Sequence, residues 1–114
     1  MECKDKIIGD IAIVSLRGRI IGSQDSDRLH QEVQCLLKEG IKKIVVDLNE
    51  VSWMGSLGVG GLMHDLISAR NAGGDLRLAR LTSKVESLFK ITKLETVIQI
   101  YKNVEQAIKS FELN

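Results

Sequence analysis

Along this chain the apolar residues keep switching between every second position and every third or fourth. That alternation constrains the fold more than any single motif. In "IAIVSLRGRI", Ile11, Ile13 and Ser15 fall on one side and Ala12, Val14 and Leu16 on the other. Both sides are mostly apolar, which predicts a strand buried on two faces. A shorter strand over residues 3–8 precedes it, and Gly9 and Asp10 supply a hairpin turn. The period then lengthens. Leu29, Val33, Leu36 and Leu37 share one helix face, with Asp25 or Ser26 as the cap and Gly40 as the residue that ends the helix. "IKKIVVDL" is a β-branched run bounded by Gly40 and Asn49, the pattern of a central strand.

The second half repeats the alternation. Leu62, Met63, Leu66 and Ile67 mark a helix that ends at Gly73 and Gly74, and "DLRLARL" alternates as a strand through Leu76, Leu78 and Leu81. "SKVE" at residues 83–86 fits a capping box opening a third helix, with Val85, Leu88 and Phe89 inward. "TVIQIY" predicts a last strand. Asn103 and Gln106 bracket the start of a fourth helix that turns Val104, Ala107, Ile108 and Phe111 inward. The expected architecture is α/β: a mixed, mostly parallel sheet of about five strands with about four helices, the first strand antiparallel at or near an edge. No proline and no linker-like segment interrupts the 114 residues, so a single domain over 1–114 is expected.

The functional signal is concentrated in "WMGSLGVGGLMHDL". Gly55, Gly58, Gly60 and Gly61 crowd the start of the second helix, where glycine costs roughly 0.5–1 kcal/mol relative to alanine. Either the backbone there must approach something closely, or Ser56 must be presented to something. A Walker loop needs a lysine after its last glycine and none is present; the glycine spacing is not that of a dinucleotide fingerprint either. A nucleotide contact at the helix N-terminus stays open, because free N–H groups there attract anions. "GSLG" is not a nucleophile elbow. His64 lies eight residues beyond Ser56, on the order of 12 Å of helical rise, so it cannot serve that serine as a base; His30 could reach it only through tertiary folding. Asp47, at a strand end, suits a bond to loop backbone. Ser56 at or near the helix N-cap is then either a plain capping residue or a surface serine open to phosphorylation.

Composition narrows the partners. A net charge of +1 offers no basic stripe for nucleic acid. The longest run without Asp, Glu, Lys or Arg, residues 51–64, is shorter than the roughly 20 residues of a membrane span. The N-terminus lacks the apolar region of a secretory signal. Cys3 and Cys35 match no metal spacing and predict two reduced thiols, so the expectation is a cytoplasmic protein with no cofactor and no metal.

"IVVDLNEVSWMGSLGVGGL" resembles the serine motif of STAS domains, in particular the anti-sigma-factor antagonists. Asp47 and Leu48 correspond to the family's strand end, and Val51, Trp53 and Met54 to its apolar positions. Ser56 corresponds to its phosphorylated serine, and Gly58, Val59 and Gly60 to the glycine-flanked positions that open its helix. "GRI" at residues 18–20 stands where the family has "GEL" or "GEI". There are three departures. Gly55 replaces an aspartate, Leu57 replaces a small residue, and the 18–29 segment carries one extra residue, with Ile21 where an aspartate would stand. The resemblance implies a STAS-like fold and a regulatory binding module rather than an enzyme. Its partner would be an anti-sigma factor that is also a serine kinase, bound while Ser56 is unphosphorylated; a phosphatase would reset the switch. The implied partner-binding residues are Ile21, Gly22, Ser23, Gly55, Ser56, Leu57, Gly58 and Val59. The altered serine motif leaves room for a second role, as a STAS accessory subunit of a membrane transporter or scaffold assembly.

Overall fold

A computed structural model describes residues 1–112; Leu113 and Asn114, the end of the expected 1–114 domain, lie outside the described residues. Five strands form one sheet in sequence order: β1 (Glu2–Ile8), β2 (Ile11–Ile20), β3 (Lys43–Met54), β4 (Asp75–Ala79) and β5 (Ile100–Tyr101). β1 pairs antiparallel with β2 at the edge, and every other pairing is parallel. The helices are α1 (Ser23–Lys38), α2 (Ser56–Asn71), α3 (Ser83–Ile91) and α4 (Val104–Glu112). Element order, sheet type and the edge position of the first strand all follow the sequence reading.

The two-faced strand is borne out by two cores. Ala12, Val14 and Leu16 join Ile44, Val46, Leu29, Val33, Leu62, Leu66, Val85 and Phe89 in a large cluster that seats α1, α2 and α3. Ile11, Ile13, Val45 and Ala79 face the other way, onto Ala107 and Phe111 of α4. Asn103 caps α4 as expected, its Oδ1 accepting the Gln106 N–H at 2.8 Å. Gly40 follows α1 at φ +86, a conformation that side-chain-bearing residues rarely adopt.

Six local expectations need correction, the first being that β4 ends at Ala79, short of Leu81, because Arg80 takes a left-handed φ of 57. β3 does not stop near Leu48 but runs on to Met54, alongside β2 residues 17–20 through two register shifts. Asn49 looked like a breaker, yet Asp47 Oδ1 accepts its N–H at 3.2 Å, so its backbone is satisfied at the first irregularity. α1 begins earlier than either proposed cap: its N-cap is Gly22, and Asp25 and Ser26 lie inside the helix. α3 has no capping box at residues 83–86. Its N-cap is Thr82, whose hydroxyl donates instead to the Val51 carbonyl at 2.8 Å. The last strand shrinks to two residues, because residues 94–96 form a 3₁₀ turn. Ile67 is 56% exposed; the buried stripe of α2 is Gly58, Leu62, Asp65, Leu66 and Ala69.

Candidate functional site

The serine stands where β3 hands over to α2. A single residue, Gly55, connects the two. Its N–H donates to the Ile20 carbonyl at 2.8 Å, and its own carbonyl accepts the Val59 N–H at 3.0 Å, the first helical bond of α2. Gly55 is therefore the N-cap, with extended backbone (φ −87, ψ 178), and Ser56 is the first helical residue. Ser56 is exposed. The first turn of α2 carries neither a side-chain cap nor an acidic residue, so its dipole end is not neutralised from within.

The glycines answer two different demands. A Cβ on Gly58 would lie 2.6 Å from the Ile20 carbonyl oxygen and 2.7 Å from Ile20 Cγ2. A Cβ on Gly61 would lie 2.9 Å from Ser26. These two let α2 press onto the end of β2 and onto α1. Gly60 faces open space, and at Gly55 the nearest atoms, all of Ile21, are at ordinary contact distance.

The start of α1 meets the serine segment through Ile21 and Ser26. Ile21 packs beside Gly55, and Ser26 Oγ donates to the Leu57 carbonyl at 2.9 Å, tying the start of α1 to the start of α2. The carboxylate of Asp25, at the third helical position, turns back to accept the N–H groups of Ile21 (3.2 Å) and Gly22 (3.4 Å). Burial works against ionisation there, but those two bonds leave the Asp25 carboxyl below its ordinary pKa. Of the expected partner-binding residues, Ile21, Ser23, Ser56 and Leu57 are exposed, Gly22, Gly55 and Val59 are half-buried, and Gly58 is buried. Gly58 packs against Ile20 and Met54. In the sequence motif Trp53 is one more apolar position. It is 41% exposed and, with Ile21 at 47% and Leu57 at 57%, adds apolar surface at this end of the sheet.

His30 and His64 lie elsewhere. His30, on α1, holds Asp65 of α2 through Nδ1 and Oδ1 at 2.8 Å, and the His64 ring lies 4.9 Å from that of His30. Asp65 is fully buried, and burial pushes its carboxyl above the ordinary value despite the opposing bond to His30. The readable signal was a charge on an apolar stripe, since Asp65 shares its helix face with Leu62 and Ala69. Asp47 does bond loop backbone, but its main partner is Arg80, which binds both carboxylate oxygens. That pair lines a polar cleft of about 270 Å³ together with Ser15, Arg17 and Glu50. Arg17 in turn pairs with Glu50 and Glu2, and Lys4 lines the same cleft.

The sequence matches the profile of the STAS domain over residues 3–107. An anti-sigma-B factor antagonist of Listeria monocytogenes is 42% identical over 69 residues, 60% of this chain and 59% of that protein. A candidate anti-sigma factor antagonist of Thermotoga maritima is 29% identical over 73 residues, 64% of this chain and 65% of its own length. In sequence, then, the chain spans somewhat less than two thirds of these relatives. The crystal structure of a candidate anti-sigma factor antagonist from Thermotoga maritima superposes with a TM-score of 0.86 at 23% identity, covering 96% of this chain and 94% of that one. The anti-sigma factor antagonist SpoIIAA in its unphosphorylated form gives a TM-score of 0.82 at 15% identity, covering 99% and 98%. At those identities the structural likeness speaks for the fold.

Proposed function

This chain belongs to the STAS domain family, and from that premise we propose that it is an anti-sigma-factor antagonist that works by partner switching. In this reading the surface around unphosphorylated Ser56 binds an anti-sigma factor that is also a serine kinase, and a sigma factor is freed. Phosphorylation of Ser56 releases the kinase, and a phosphatase restores the first state. The compartment is the cytoplasm. The observation that carries the reading is the placement of Ser56: an exposed hydroxyl on the first turn of α2, flanked by exposed Leu57 and close to exposed Ile21.

The chemistry rests on that placement. A phosphoserine carries about −1.5 to −2 charges. On the first turn of α2 the helix dipole favours it by roughly 0.3–1 kcal/mol, so the domain itself tolerates the group. At a contact lined by Ile21 and Leu57 the same charge would lose its water without gaining a partner, which costs several kcal/mol. A penalty of about 4 kcal/mol weakens binding by roughly a thousandfold. The local gain does not offset that, so the complex separates while the fold persists.

The test is phosphotransfer from the kinase that co-purifies with the chain, then phosphopeptide mapping. Phosphate on Ser56, abolished by Ser56→Ala, is the expected result. Phosphate on Ser52, Ser68 or Ser83 instead, or co-purification with a membrane permease in place of a kinase, overturns the reading.

A further inference from the structure

The α1–α2 seam holds a cluster that partner switching does not use. α1 and α2 meet in register: Ser26 sits on Leu57 and Gly61, and one turn further along both helices His30 sits on Asp65. His64 adds its ring at the same level. One ligand atom from each of His30, His64 and Asp65 can be chosen so that all three lie within 4.8 Å of one another. We propose that these three residues bind one divalent transition-metal ion, for which zinc is the fitting probe.

Three observations carry the inference. First, the donor set is two imidazoles and one carboxylate, which suits zinc and its neighbours in the first transition row and not calcium or magnesium, whose sites are built of oxygen. Second, the Asp65 carboxylate has no exposure, and its Oδ2 has no hydrogen-bond partner among the described residues. A buried carboxylate with one oxygen left this way is costly, and a cation at the seam held by both oxygens of Asp65 would satisfy it. Third, the site has a way in: the His30 side chain is 38% exposed and His64 is exposed. The spacing is close to what a metal needs. His30 Nδ1 and Asp65 Oδ1 stand 2.8 Å apart, which opens slightly around an ion with bonds of about 2.0–2.1 Å, while His64 closes in by a side-chain rotation. His30 would coordinate through the nitrogen now facing Asp65, its proton resting on Nε2; water would fill the remaining position.

The ion would clamp α1 to α2, the two helices whose first turns carry residues 21–23 and Ser56. The proposal does not depend on phosphorylation of Ser56, and its test leaves that serine untouched.

The experiment uses the full chain without an affinity tag, with Cys3→Ser and Cys35→Ser to remove competing thiols. Zinc is titrated by calorimetry and cobalt by its visible absorption. The expected result is one equivalent bound and a melting temperature raised by zinc. His64→Ala, a change at an exposed residue, should weaken zinc binding by about tenfold or more while leaving metal-free melting unchanged. Absence of saturable binding, or equal binding by the parent and His64→Ala, overturns the proposal.

Discussion

Gly58 and Gly60 stand two positions apart on α2 and answer to opposite constraints. A methyl group on Gly58 meets the carbonyl of Ile20, backbone that is itself paired within the sheet, so Gly58→Ala should cost about 1–3 kcal/mol. A methyl group on Gly60 meets nothing, so Gly60→Ala should gain roughly 0.5–1 kcal/mol from helix propensity. Urea denaturation of the two variants checks the contrast; equal midpoints would refute it. Gly55, the departure from the family aspartate, has ordinary extended backbone and room for a side chain. Gly55→Asp should therefore preserve the fold, and an aspartate at the N-cap should add up to about 1 kcal/mol. It should also change partner affinity or phosphorylation rate, since it places a carboxylate beside Ser56. A variant melting several degrees earlier would show that this position does need glycine. The sequence posed the glycine question correctly but could not distribute the answer, because close approach at Gly58 and Gly61 is set by β2 and α1, far away in the chain.

At the scale of elements, legibility tracked how local the determining contacts are. The inward face of α4, its Asn103 cap and the Gly40 stop of α1 rest on residues within one or two turns and were readable. The length of β3 was not, because residues 49–54 remain a strand only by pairing with β2. The short β5 was misread for a related reason: Thr96, Val97 and Ile98 look extended, but the chain first turns through residues 94–96 and buries Ile98 in the main core. The start of α1 was missed because its stabilising carboxylate acts from the third position backwards. Asp25→Ala should cost about 0.5–1 kcal/mol near neutral pH and loosen residues 21 and 22. The sign of its pH dependence is fixed by a folded-state pKa that, despite burial, is held below its ordinary value by the bonds from Ile21 and Gly22. The contribution is present above the unfolded value and is lost as pH falls through the folded one. The difference between parent and variant should thus shrink below about pH 4, as thermal melts across that range will show.

For the molecule as a whole, an exposed serine and the buried core lie side by side at one end of the sheet. The main core reaches that end through Ile20 and Met54, whereas Ser56 lies beyond the end of β3, exposed on the first turn of α2. Ser56→Asp should therefore leave the melting temperature near that of the parent and weaken binding to the anti-sigma factor. Calorimetry and a melting curve together test both halves; unchanged affinity would remove Ser56 from the interface.

The one-residue junction between β3 and α2 bears on timing. Gly55 is bonded on both sides, to Ile20 and to Val59, so little slack is left to freeze when a partner arrives. Encounter then has no ordering step to wait for, and association should run at the ordinary rate for docking two prepared patches, about 10⁵–10⁷ M⁻¹s⁻¹. A charge added at Ser56 would leave that rate nearly intact and shorten the lifetime of the complex instead. Under the proposed function, such a switch would respond as fast as a kinase and phosphatase write and erase the mark, with no delay from the protein reshaping itself.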